Sequence, residues 1–140
     1  MRDGYHQIPM QPSDKVKTSF TCRYGTFQFT VMPFGLSTAP STFQRMMNSI
    51  FFDLLDKGVL CYLDDLLVYS RTLEDHIKLL DEVFALLSKH KLYLKEKKCC
   101  LFLKKVNFLG HVVSAEGVAM ESGKVDVVQK WPTPTTVTHV

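Results

Sequence analysis

Tyr62-Leu63-Asp64-Asp65 sets two adjacent carboxylates between two apolar runs, Val59-Leu60-Cys61 before and Leu66-Leu67-Val68-Tyr69 after. Short apolar runs on both sides of two acids predict a tight β-hairpin with both acids at its turn. Two like charges held this close cost free energy unless a cation neutralises them. Carboxylate oxygens suit a hard divalent ion, magnesium or manganese. An ion held there binds phosphates and promotes phosphoryl transfer. Taken alone, paired Asp residues in a turn more often serve local hydrogen bonding. The apolar residues on both sides, and Tyr62 and Tyr69 flanking the turn, shift the balance toward a site.

A second chemically active stretch runs from His90 to Lys105. It holds Lys91, Lys95, Lys97, Lys98, Lys104 and Lys105 against the single acid Glu96, with Tyr93 and Phe102 interleaved. For most lysine clusters a solvated face is the better reading. The functional alternative is contact with phosphates of a nucleic acid or a nucleotide. A lysine beside a metal site can also donate a proton to a leaving group.

The elements that must position these groups follow from periodicity. Gln7 to Met10 is short and strand-like, and Gln11-Pro12-Ser13-Asp14 turns. Strands are predicted over Lys17 to Cys22 and over Phe27 to Val31, where Phe27, Phe29 and Val31 alternate with Gln28 and Thr30. Met32-Pro33-Phe34-Gly35-Leu36 reads as a loop. Pro40 suits the first turn of a helix. Phe43, Met46, Met47, Ile50, Phe51, Leu54 and Leu55 then recur at helical spacing up to Gly58, a core stripe rather than a cofactor box. Thr72 is a helix cap with Asp75 three residues on, followed by the stripe Ile77, Leu80, Val83, Phe84 and Leu87. Leu92 to Leu94 and Phe108 to Val113 are further strand candidates, Glu116-Gly117 a turn, and Val125 to Trp131 a short helix closed by Pro132. Strands, helix, hairpin, helix and strands in that order predict an α+β fold, an antiparallel sheet with helices packed on one face.

Bulk properties frame this reading. The 140 residues suit one domain, and 46% hydrophobic content supports a real core. A net charge of +3 is compatible with nucleic acid without proving it. Cys22, Cys61, Cys99 and Cys100 show no C-x-x-C spacing, which argues against a zinc site. The adjacent Cys99-Cys100 suits a reduced, intracellular protein. No signal peptide and no membrane-length apolar run are visible. The abrupt opening at Gly4-Tyr5-His6-Gln7-Ile8 and the end just after Trp131-Pro132-Thr133-Pro134 look cut from something longer.

Four ordered motifs now come together: Gly4-Tyr5-His6-Gln7-Ile8; Val31-Met32-Pro33-Phe34-Gly35-Leu36 with Ala39-Pro40-Ser41-Thr42-Phe43-Gln44; Tyr62-Leu63-Asp64-Asp65; and Phe108-Leu109-Gly110. This arrangement resembles the reverse transcriptase (RNA-directed DNA polymerase) of gypsy-type LTR retrotransposons, part of their Pol polyprotein, over essentially the whole chain. The resemblance implies the palm, with part of the fingers, of a right-hand polymerase over residues 1–131, and the start of a linker over 132–140. It implies Asp64 and Asp65 as metal-binding catalytic residues, with Mg2+ or Mn2+ as cofactor. It implies Tyr5, Phe34, Gly35 and Tyr62 at the nucleotide, Lys98 near the triphosphate as a general acid, and Phe108, Leu109 and Gly110 as the primer grip. The implied partners are an RNA or DNA template-primer and deoxynucleoside triphosphates, with no membrane. The implied chemistry is attack of a primer 3′-hydroxyl on the α-phosphorus, assisted by two metals.

One departure stands out. The family's first catalytic aspartate lies immediately before the stretch that opens this chain, so Met1 stands one position after it. Asp3 is offset by two residues, ~6–7 Å along an extended segment, and is no equivalent. The expectation is therefore a palm fragment whose parent is the polymerase and which is itself inactive. The alternatives are a non-catalytic nucleic-acid- or protein-binding remnant, or a decayed copy.

Overall fold

The computed structural model describes residues 1–131; the linker expected over 132–140 lies outside the described residues. The chain divides into two units, Met1–Cys99 and Cys100–Val140.

In the first unit, a 3-10 turn over Gly4–Gln7 and a second over Pro12–Thr18 lead into the hairpin of β1 (Phe20–Cys22) and β2 (Gly25–Phe27). The predicted strand over Lys17–Cys22 is thus shorter at its start, because Pro12 opens a turn that runs on to Thr18. Thr18 closes that turn: its hydroxyl donates to the Lys15 carbonyl at 2.7 Å and accepts from the Phe29 N–H at 2.9 Å. The strand-like segment at Gln7 to Met10 pairs with the end of the alternating run. The Met10 N–H donates to the Thr30 carbonyl at 3.0 Å and the Met32 N–H to the Ile8 carbonyl at 2.8 Å.

Helix α1 spans Ala39–Ile50 with Pro40 in its first turn. It stops earlier than its apolar stripe, and the chain turns through Phe51 to Lys57. Phe43, Met47 and Phe51 are nevertheless fully buried, so the stripe is core as its spacing predicts. Strands β3 (Val59–Tyr62) and β4 (Asp65–Val68) form the expected hairpin, with Val59 opposite Val68 and Tyr62 opposite Asp65. Gly58, at φ +137°, makes the turn into β3 in a conformation costly for any side chain.

Helix α2 runs from Leu73 to Lys89. The Thr72 hydroxyl accepts from the Asp75 N–H at 3.1 Å, the predicted cap. Leu80, Val83 and Leu87 are buried, whereas Ile77 and Phe84 sit at the edge of the stripe and remain exposed. α1 packs on β3 and α2 on β4. The resulting core joins Met32, Phe43, Met47, Phe51, Val59, Val83, Leu87 and Leu92, with Met1, Tyr5 and Ile8 packed against it. Leu92 to Leu94 forms no strand; its backbone is engaged instead by the N-terminal segment.

In the second unit, β5 (Lys105–Phe108), β6 (His111–Ser114) and β7 (Gly117–Met120) make an antiparallel meander, and α3 spans Ser122–Gln129. The run Phe108 to Val113 is split by a turn at Leu109 and Gly110, at φ +51° and +74°. Two adjacent residues with positive φ reverse the chain tightly and break a would-be single strand into a hairpin. The architecture is the α+β fold predicted, with its antiparallel pairing distributed over three small sheets. No helix among the described residues is long and apolar enough to cross a membrane.

Candidate active site

The acidic hairpin is closed by the Tyr62–Asp65 pair, leaving Leu63 and Asp64 as a two-residue loop. Asp64 lies in the turn and Asp65 opens β4, both exposed. Leu63 takes a left-handed conformation, φ +49°, which is unfavourable for a γ-branched residue. The turn is held from one side by Gln44 of α1. Its Oε1 accepts from the Leu63 N–H at 2.6 Å, and its Nε2 donates to the Cys61 carbonyl at 3.1 Å.

From the other side the N-terminal segment closes on Asp64. The α-amino group of Met1 donates to the Asp64 carbonyl at 3.3 Å. Gly4 is buried, and a Cβ added there would fall inside 3.0 Å of Asp64 Oδ1, 3.2 Å from Asp64 Cγ and 3.1 Å from Phe43 Cζ. The absence of a side chain at Gly4 is thus the space in which the Asp64 carboxylate sits. Gln7 anchors the segment behind this contact. Its Oε1 accepts from the Tyr93 N–H at 2.7 Å, and its Nε2 donates to the Tyr93 carbonyl at 3.2 Å and to the Arg2 carbonyl.

The next residue begins an aromatic surface. The Tyr5 ring lies 5.0 Å from Phe34 and 5.4 Å from Phe43, and His6 meets Phe34 edge-on at 5.1 Å. Phe34 is 62% exposed although Met32 and Pro33 beside it are buried, and Gly35 follows at φ +90°. An exposed aromatic face beside a carboxylate pair can stack a base or a sugar while its phosphates reach a bound cation.

The structure therefore brings Asp64 to Gly4, the residue before Tyr5, whose ring packs on Phe34; Asp65 and the exposed Tyr62 close the hairpin. Lys98 lies in a 3-10 turn over Glu96–Lys98, exposed, and among the described residues no ion pair joins it to either aspartate. Phe108, Leu109 and Gly110 form the β5–β6 turn of the second unit. Gln44, Gln7 and Gly4 make contacts around this turn and segment for which the motifs gave no role. The signal for each was its place within a motif: Gly4 and Gln7 in the one that carries Tyr5, Gln44 at the end of Ala39-Pro40-Ser41-Thr42-Phe43-Gln44.

Burial pushes the Cys61 thiol up from 9.0 to about 11; a hydrogen bond from Gln44 pulls it back, and the charges of Asp64 and Asp65 raise it further. The thiol thus senses both carboxylates and stays protonated at neutral pH.

Among the described residues no group of three His, Cys, Asp or Glu could hold a metal. Two hard oxygen donors at one hairpin end nevertheless fit a magnesium-type ion, which commonly takes one or two carboxylates and completes its shell with water and substrate phosphates.

Residues 1–113 match the reverse transcriptase (RNA-dependent DNA polymerase) family, and the chain belongs to it. Within that family it is similar to the Pol polyproteins of LTR retrotransposons of the gypsy type. It is 41% identical over 132 residues to the retrovirus-related Pol polyprotein from transposon 297 of Drosophila melanogaster, covering 94% of this chain and 12% of that protein. With the polyprotein from transposon 412 of the same organism it shares 37% over 134 residues, covering 96% and 11%. With the transposon Tf2-3 polyprotein of Schizosaccharomyces pombe it shares 33%, covering 96% and 10%. The chain therefore spans about a tenth of the length of these relatives. Among solved structures, the foamy viral protease-reverse transcriptase in complex with double-stranded DNA superimposes with a TM-score of 0.87 at 25% identity, covering 98% of this chain and 24% of that one. The same enzyme in complex with an RNA/DNA hybrid gives 0.78, also at 25% identity, covering 98% and 18%.

Proposed function

We propose that this chain supplies the palm, with part of the fingers, over residues 1–131 of a polymerase that copies RNA into DNA within a longer retrotransposon polyprotein. The observation that carries the reading is the seating of the Asp64 carboxylate in the space left by Gly4, the residue before Tyr5, whose ring packs at a tilt on Phe34. A carboxylate held against the residue that precedes an aromatic pair supports a site that takes a cation and a nucleotide.

Asp64 and Asp65 would hold Mg2+ or Mn2+. When bound, two such ions would activate the primer 3′-hydroxyl and stabilise the leaving pyrophosphate. The chain's own residues do the rest. Tyr5 and Phe34 stack against the incoming nucleotide, and Gly35 and Tyr62 border it. Lys98 donates a proton to the leaving pyrophosphate. Phe108, Leu109 and Gly110 grip the primer end. The partners in this reading are a template-primer and deoxynucleoside triphosphates; the neighbouring foamy viral protease-reverse transcriptase is in complex with double-stranded DNA in one structure and with an RNA/DNA hybrid in another. The third carboxylate would come from a residue joined to Met1, whose nitrogen already stands 3.3 Å from the Asp64 carbonyl.

The test is primer extension on an RNA template with magnesium and deoxynucleotides. The 140-residue chain is compared with a version extended upstream to include that aspartate and the rest of the fingers. Activity confined to the extended form and abolished by Asp64→Asn is the expected result. Activity in the short form would show that the third carboxylate is dispensable. Silence in both, with magnesium-independent RNA or DNA binding retained, would favour a binding remnant.

A further inference from the structure

Gln44 makes contacts that its place on an amphipathic helix does not demand. It is half-buried on α1, one residue after the fully buried Phe43. Its amide reaches two backbone groups on either side of Tyr62. Oε1 accepts from the Leu63 N–H at 2.6 Å and Nε2 donates to the Cys61 carbonyl at 3.1 Å. An N–H acceptor at one position and a C=O donor two residues earlier is what a neighbouring strand would present to β3. α1 thus supplies, through one side chain, a short piece of sheet edge to the end of the hairpin.

The amide can point only one way. Nε2 faces two acceptors, the Cys61 carbonyl and, at 2.7 Å, Oδ1 of Asn48 one turn further along α1. Oε1 faces the one donor, Leu63 N–H. Leu63 needs that partner. It lies in the two-residue loop, outside the β3–β4 ladder, in a left-handed conformation that persists only where its surroundings impose it. Asp64 follows immediately, so whatever fixes Leu63 fixes the direction in which Asp64 leaves the backbone.

We propose that Gln44 is a positioning residue for the acidic turn: it holds Leu63 left-handed and so aims the Asp64 carboxylate into the space beside Gly4, with Asn48 orienting its amide. The functional consequence rests on the reading of Asp64 as a metal-binding carboxylate. The geometric consequence does not. Replacing Gln44 by an apolar residue of similar length keeps the packing on α1 and removes both hydrogen bonds to the turn.

The experiment uses the full 140-residue chain, isotope-labelled, and reads two quantities. The first is hydrogen exchange of the Leu63 amide. The second is the affinity for Mn2+, read from paramagnetic broadening at Asp64 and Asp65. Gln44→Met should accelerate Leu63 exchange by about tenfold relative to the β3–β4 ladder amides, consistent with the loss of a partly buried hydrogen bond. It should weaken Mn2+ binding about tenfold, as loss of a group that orients a metal ligand does. Asn48→Leu alters an exposed side chain and leaves the hairpin contacts in place; it should shift both quantities in the same direction by less. Leu63 exchange unchanged in either variant would overturn the proposal, whatever Mn2+ does. If the wild-type chain shows no broadening at Asp64 or Asp65, the metal reading fails, and accelerated Leu63 exchange in Gln44→Met would still establish Gln44 as the residue that positions the turn.

Discussion

Replacing Gly4 by alanine separates folding from site geometry. Gly4 has no positive φ, so alanine can adopt its backbone conformation, and shortening the list of unfolded conformers by itself stabilises by about 0.4–1 kcal/mol. Against this stands the new methyl group. It would fall inside 3.0 Å of Asp64 Oδ1, 3.2 Å from Asp64 Cγ and 3.1 Å from Phe43 Cζ. Overpacking of this kind costs about 1–3 kcal/mol when the neighbours cannot yield. Phe43 is fully buried and cannot retreat far, whereas Asp64 is exposed and can rotate away. Asp64 therefore gives way, and the stability cost stays at the low end, about 0–1 kcal/mol after the entropic gain. The carboxylate no longer occupies its seat, and a misdirected ligand should weaken metal binding or activity by about 10–100-fold. The assays are thermal unfolding of the chain, Mn2+ titration with broadening read at Asp64 and Asp65, and primer extension by the extended polypeptide. A nearly unchanged Tm with a large loss of Mn2+ affinity is expected. Unchanged Mn2+ affinity would refute the assignment of Gly4 as the seat of the carboxylate. A collapse of stability would mean that Phe43, not Asp64, absorbs the clash.

Three further outcomes follow from single contacts. Thr72→Ala removes the cap on α2 and should cost about 1 kcal/mol, a fall in Tm of a few degrees; an unchanged Tm would mean Glu74 and Asp75 sustain the helix start alone. Gly58→Ala combines a φ of +137° with a Cβ 2.5 Å from Leu79 Cδ2 and 3.1 Å from the Tyr69 carbonyl, and should destabilise by about 2–4 kcal/mol in denaturant titration; a loss below about 1 kcal/mol would show that the turn relaxes. The Cys61 thiol, raised from 9.0 to about 11 by burial, contributes stability that is fully present below pH 9 and lost as pH rises toward 11. Denaturant unfolding from pH 8 to 11 should therefore show a steeper decline for the wild-type chain than for Cys61→Ala, and parallel profiles would contradict a protonated, buried thiol.

Much of the molecule was legible from local pattern. The apolar spacing of α1 and α2, the Thr72 cap and the strand–acid–acid–strand arrangement each arise from interactions within a few residues, and each appears where the pattern places it. Boundaries moved where local geometry competes with apolar periodicity: Pro12 draws Lys17 into a 3-10 turn, and Leu109-Gly110 turns a run read as one strand into a hairpin. Past Ile50 the stripe is no longer helical, yet Phe51 is fully buried and Leu54 and Leu55 are half-buried against the core, since burial requires only that side chains reach it. The motifs likewise named Asp64, Asp65, Tyr5 and Phe34 as residues of one family's site, but no spacing along the chain told which of them touch. Gly4 meets Asp64 across 60 positions, Gln44 meets Leu63 across 19, and Gln7 meets Tyr93 across 86. Contacts at such separations are set by how α1, α2 and the N-terminal segment close on one core, so a glycine's missing side chain or a glutamine's amide acquires its meaning only once the chain has folded. The sequence by itself determined which residues carry charge, rings and helical or strand periodicity; the tertiary structure alone decided which carboxylate sits against Gly4, which backbone groups Gln44 holds, and which rings pack together.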